Sequence, residues 1–143
     1  MPPRFVDASV FVHAYLKPRR RLKPHERQIK AHARAIVTRV EKGESVVTSV
    51  VHLAEIANVL EDWVPLEDAR AIQTGLCTRE NIDILPVSRG DLFEALGLGA
   101  ELAVGTADAL AVVLMRNQGV REIYSFDQDF DRFGDIRRVG ASA

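Results

Sequence analysis

The stretch Arg4-Phe5-Val6-Asp7-Ala8-Ser9-Val10-Phe11-Val12-His13-Ala14-Tyr15-Leu16 changes its hydrophobic period in the middle. Up to Asp7 it reads as a short strand. Beyond it Val10, Phe11, Ala14 and Tyr15 recur at helical spacing until Pro18 stops them. A strand that runs straight into a helix predicts a crossover connection and a parallel neighbour rather than a hairpin. It also leaves a carboxylate, Asp7, at the strand's carboxyl end.

The same alternation continues outward from this unit. Ser45 to Thr48, Ile82 to Val87 and Glu122 to Phe126 read as strands, with Ile136 to Val139 as a fifth. Between them fall helical patterns: Ile29, Ala33, Ile36, Val37 and Val40, ended by Gly43; Leu53, Ile56, Ala57 and Leu60 behind a Ser49 cap; and Ala69, Ile72 and Leu76 behind Pro65. Ser88 with Asp91 predicts a capping box ahead of Leu92, Ala95 and Leu96. Thr106 is expected to cap Ala107 to Gln118, a helix apolar nearly all round and ended by Gly119. Strands separated by helices predict an α/β fold, a three-layer sandwich with a mostly parallel central sheet. No linker or repeat divides the chain, so a single domain spanning residues 1–143 is expected.

Composition narrows the function classes. The 143 residues are 47% hydrophobic and 27% charged, the balance of a globular domain. Cys77 is alone and the histidines are scattered, which excludes an internal disulfide and a zinc framework. No stretch has the length and apolarity of a membrane span, and no signal peptide is visible, so a cytoplasmic protein with no membrane association is expected. The net charge of -1 conceals an asymmetry: Lys17 to Lys42 holds ten basic residues against two acidic ones, while the remainder holds nine against eighteen. That segment is either a solvated helix face or a surface for a polyanion or an acidic partner.

Four acidic residues fall where an α/β sheet collects ligands, outside the carboxyl ends of its strands. Asp7 follows the first strand, with the Ser9 hydroxyl placed to steady it; alternatively Asp7 only caps the helix. Glu55 lies with His52 and Asn58 in a three-residue stripe on an apolar helix, which could also face solvent. Asp108 occupies the first turn of the apolar helix, where the dipole alone favours a carboxylate. Asp127 follows a strand in Ser125-Phe126-Asp127-Gln128-Asp129, with Asp129 a secondary candidate. Arg132 and Arg138 stand where a calcium loop needs Gly and Glu, so that loop is excluded. Gathered together, such carboxylates would need a cation or a retained proton, and an all-oxygen donor set favours Mg²⁺ or Mn²⁺.

The set Asp7-Ala8-Ser9, Glu55, Ala107-Asp108-Ala109-Leu110 and Ser125-Phe126-Asp127 resembles the pattern of PIN-domain ribonucleases, and within them the VapC-type toxins of toxin-antitoxin pairs. A HAD-type phosphatase would need a second Asp where Ser9 stands, and a receiver domain a late Lys, of which there is none after Lys42. The resemblance implies a PIN-like fold, Mg²⁺- or Mn²⁺-dependent hydrolysis of RNA, a cognate antitoxin partner and a homodimer. It further implies that Asp7, Asp108 and Asp127 hold metal, that Glu55 orients water or shares the ion, and that Ser9 and Ser125 hold the carboxylates. Arg19, Arg20, Arg21, Lys23 and Arg27 are the residues expected to bind RNA. A non-catalytic RNA-binding or antitoxin-binding module with the same fold is the alternative.

Overall fold

A computed structural model describes residues 2–140. Its elements are β1 (Arg4–Val6), α1 (Ala8–Tyr15), α2 (Pro24–Glu41), β2 (Val46–Ser49), α3 (Val50–Trp63), α4 (Leu66–Thr78), β3 (Ile82–Leu85), α5 (Arg89–Leu102), α6 (Thr106–Gln118), β4 (Glu122–Tyr124), a 3-10 turn (Gln128–Arg132) and β5 (Arg137–Val139). The strands form one parallel sheet in the order β3-β2-β1-β4-β5. The chain first steps outward from β1 to β2 and β3, then returns past β1 to β4. The topological switch point therefore lies between β1 and β4, which open a crevice at their carboxyl ends.

Two-residue alternation sends neighbouring side chains to opposite layers. Phe5, Val47 and Ile123 pack against α5 and α6, while Val6, Val46 and Tyr124 pack against α1, α2, α3 and α4. Burial on both faces explains why β2 is buried at every position. The α6 helix runs through one layer with Ala109 to Met115 all buried, as its apolarity predicts.

Local details differ from the sequence reading where tertiary packing intervenes. Thr106 is the first helical residue of α6 and Gly105 takes the cap position, so the Thr106 hydroxyl does not cap. Pro65 likewise precedes α4 at its cap position. The strand read through Phe126 ends at Tyr124, which frees Ser125 and Phe126 to turn into the crevice. Of the α5 residues Leu92, Ala95 and Leu96, only Ala95 is buried; Leu92 and Leu96 stand exposed beside Phe93.

The α5–α6 turn sets where α6 begins. The Val104 amide donates to the Gly99 carbonyl at 3.0 Å, and Ala103 adopts the left-handed conformation. A Cβ at Gly99 would lie 2.8 Å from the Val104 carbonyl oxygen. The helix thus needs Gly99 for backbone approach, whereas a Cβ at Gly97 would meet open space. Gly97→Ala is expected to stabilise the protein by about 0.5–1 kcal/mol, and Gly99→Ala to destabilise it by about 1–3 kcal/mol through overpacking. Thermal unfolding of the two variants checks this pair; equal shifts would show that the turn is not tightly packed.

Candidate active site

The crevice at the switch point is a cavity of about 440 Å³ lined by Asp7, Ser9, Glu55, Asp108 and Asp127 together with Val12, His13, Ile29, Val59 and Phe126. Four carboxylates from separate elements therefore face one space. Asp7 stands directly after β1, and its carboxylate makes no capping bond to α1. Instead, Asp7 Oδ2 accepts from the Ser9 hydroxyl at 3.0 Å and from the Ser125 hydroxyl at 2.8 Å. The second contact crosses the switch point from the β4 side. Ser125 Oγ also accepts the Asp127 amide at 3.0 Å, so one hydroxyl fixes both carboxylate-bearing loops.

Asp127 Oδ1 accepts the Asp129 amide at 2.9 Å, which starts the 3-10 turn and draws Asp129 inward. Carboxylate oxygens of Asp108, Asp127 and Asp129 lie within 4.8 Å of one another. The residue ranked second in the sequence thus joins the tightest acidic trio. These hard, partly exposed oxygens suit Mg²⁺ or Mn²⁺, and Asp108, Asp127 and Asp129 are the donors that share a common ligand position.

Crowding shows in the protonation of the site. Burial first, then the charges of Asp7 and Asp127, a hydrogen bond with Asp127 and the Asp129 charge push the Asp108 carboxyl up to about 8. This shift outweighs the opposing pull of the α6 dipole. Partial burial and then the Asp7 charge also hold the Glu55 carboxyl above its usual range, although Glu55 sits at the open edge of the cavity.

The polar stripe on α3 divides. Each three-residue step turns a helix by about 300°, so the stripe drifts round the axis and its members face different surroundings. His52 is fully buried, while Glu55 and Asn58 are exposed. His52 Nε2 lies 3.1 Å from the Ala107 carbonyl oxygen, which can only accept; Nε2 therefore carries the proton. Nδ1 then accepts from the Ser49 hydroxyl at 2.6 Å, and the ring meets Phe5 edge to face. Desolvation lowers the His52 pKa, in keeping with a neutral ring. One imidazole thereby ties together β1, α3 and the residue preceding Asp108. These buried contacts make His52 a hydrogen-bonding neighbour of the site rather than a ligand.

None of the five basic residues lines the acidic cavity; Arg19 and Arg20 line a neighbouring one that shares Val12, His13 and Ile29 with it. Arg19, Arg20, Arg21 and Lys23 occupy the exposed loop before α2, and Arg27 is exposed on the helix itself. Several are already engaged: Arg20 forks onto Glu26 at 2.9 and 2.6 Å, and Arg27 donates to the Leu22 carbonyl at 3.3 Å. His13, packed edge to face on Phe126, also lines the cavity. Neither was singled out in the sequence, where nothing indicated that a helix residue and a post-strand aromatic would meet.

The PIN domain family matches residues 4–136. This chain belongs to the PIN domain family. Two solved structures share the fold of this PIN domain protein. The Mycobacterium tuberculosis toxin VapC20, which cleaves the sarcin-ricin loop, is 20% identical, with 89% of this chain and 92% of that one covered at a TM-score of 0.66. VapBC2 from Rickettsia felis, bound to a DNA fragment from its promoter, is 15% identical over 96% of this chain and 97% of that one, at a TM-score of 0.65. No curated protein matches the chain in sequence.

The elevated Asp108 carboxyl gives a signed expectation. Its folded value lies above the ordinary 3.8, so the proton-linked stability present at low pH is lost as pH rises toward about 8. In metal-free buffer, Asp108→Asn should melt above wild type by a margin that is smallest below pH 4 and grows steadily toward pH 8, by roughly 2–4 °C for each kcal/mol of repulsion relieved. A melting difference independent of pH would contradict the crowding.

Proposed function

We propose that a single PIN-like domain spanning residues 1–143 hydrolyses RNA phosphodiester bonds with Mg²⁺ or Mn²⁺, as the toxin of a toxin-antitoxin pair. The observation that carries this reading is the convergence of Asp7, Glu55, Asp108 and Asp127 on one cavity at the sheet's switch point, in a chain of the PIN domain family. The shared fold with a VapC toxin and a VapBC complex supports a cognate antitoxin as partner.

Asp108, Asp127 and Asp129 would hold the ion together with Asp7. Such an ion supplies charge neutralisation at the phosphate and lowers the pKa of water. The protein's own groups do the positioning. Ser9 and Ser125 fix the Asp7 carboxylate by donating to it, leaving Oδ1 without a serine donor. Glu55, at the open edge and with a raised carboxyl, is placed to orient water and accept a proton from it. Val12, Ile29, Val59 and Phe126 give the cavity apolar walls, which strengthen electrostatic contacts inside it.

In this reading Arg19, Arg20, Arg21, Lys23 and Arg27 draw the phosphate backbone toward carboxylates that would otherwise repel it, and Arg19 and Arg20 line the cavity adjoining those carboxylates. No single helix among the described residues is long and apolar enough to cross a membrane, which fits a cytoplasmic protein. A homodimer has exposed apolar side chains available in Val50 and Leu66 of the first half and in Leu92, Phe93 and Leu96 of α5.

The test is cleavage of a mixed RNA pool by purified protein with Mg²⁺ or Mn²⁺. Cleavage should stop with a chelator, and Asp7→Asn should lower it by a factor of about 10² or more while the protein stays folded. Unchanged cleavage by this variant would defeat the mechanism. RNA binding without cleavage by wild type would favour the non-catalytic alternative.

A further inference from the structure

A second cavity, of about 420 Å³, opens beside the acidic one and shares Val12, His13 and Ile29 with it. Its character is opposite. Lys17, Arg19, Arg20 and Lys30 line it against Glu26 alone, over an apolar floor that includes Leu16 and Leu22. At its side stands Trp63, the last residue of α3 and the chain's single tryptophan, with 44% of its surface exposed. The Arg19 guanidinium lies 4.1 Å from the centre of the indole ring, and Arg19 Nη2 donates to the Trp63 carbonyl at 2.9 Å. An exposed loop arginine is thereby held over an aromatic face.

We propose that this groove is a nucleotide subsite, in which an unstacked base of single-stranded RNA rests on the Arg19–Trp63 stack while the adjoining phosphate lies at the acidic cavity. The proposal deepens the ribonuclease reading and rests on it for the direction of the strand, from groove to carboxylates. A guanidinium plane backed by indole offers a surface for another π-face, which every base has and an Asp or Glu side chain lacks. The shared wall of Val12, His13 and Ile29 lets one short strand occupy both cavities. A duplex, whose bases are stacked and paired, cannot place one in the groove. The cations here, unlike the carboxylates next door, attract phosphate without an ion. Lys30 also anchors the groove: its Nζ donates to the carbonyls of His13, at 2.8 Å, and Leu16, which ties α2 to the end of α1.

Because Trp63 is the sole tryptophan, its fluorescence reports on this groove. Wild-type protein in EDTA at low salt is titrated with a mixed-sequence single-stranded RNA hexamer, a blunt RNA duplex and an acidic peptide of Glu and Leu. The titrations are repeated on Asp108→Asn, which removes a carboxylate from the adjoining cavity. The hexamer should give a saturable change in Trp63 emission, and the duplex and peptide should give little. Arg19→Ala should weaken hexamer binding by about 5- to 100-fold. Arg19→Lys, which keeps the charge and loses the plane, should lose most of that affinity with an unaltered salt slope, its melting temperature showing that the fold is retained. The proposal is overturned if the hexamer leaves the emission unchanged in both wild type and Asp108→Asn, if the peptide changes it and the hexamer does not, or if Arg19→Lys binds as wild type. A hexamer response in a protein that cleaves no RNA would remove the ribonuclease reading and leave the groove an RNA site. Cleavage without a response would do the reverse.

Discussion

Mutual repulsion among carboxylates at the carboxyl end of a parallel sheet is the constraint to which the rest of this molecule answers. Unpaired charges so close together would ordinarily drive the loops that carry them apart. Here Asp7 follows β1 with no intervening turn, and the Ser125 hydroxyl bridges from the β4 side onto Asp7 Oδ2 while receiving the Asp127 amide. These bonds are made to strand ends pinned by the sheet, so the groups cannot relax. The remaining strain is relieved chemically: Asp108 retains its proton to about pH 8 in the metal-free protein.

Holding charges at fixed positions requires a stiff frame behind them. The Phe5–His52–Ala107 chain of contacts supplies one, since a buried neutral imidazole with both nitrogens satisfied ties the element before Asp7, the helix of Glu55 and the start of the helix of Asp108. Leaving either nitrogen unpaired at that depth would be costly. The Gly99 turn performs the corresponding task from the other side by fixing where α6 begins. Outside this frame the surface changes sign, from acids in the crevice to cations and an arginine-covered tryptophan in the adjoining groove. A polyanionic ligand would meet attraction first and the crowded acids second.

Much of this was legible in the residues. The change of period at Asp7, the strand-end position of Asp127 and the first-turn position of Asp108 are local signals, and they place the carboxylates at one end of the sheet once the strands are known to be parallel. The three-layer architecture followed from the alternation of strands and helices. What escaped the sequence depends on packing between distant segments. Nothing local distinguishes His52, fully buried, from Asn58 in the same stripe. The meeting of Arg19 with Trp63 joins residues 44 positions apart. The joining of Asp129 to the trio hinges on a single amide bond to Asp127. Thr106 has the residue type of a helix cap, yet the turn set by Gly99 assigns that position to Gly105.

Whether the crowded carboxylates retain a proton that a divalent ion displaces is decided by calorimetric titration of the protein with Mn²⁺ at pH 7, in two buffers of different ionisation enthalpy. Binding with net proton release to the buffer is expected, and that release should largely disappear in Asp108→Asn. Binding without proton release in wild type, or equal release from the variant, would contradict such retention.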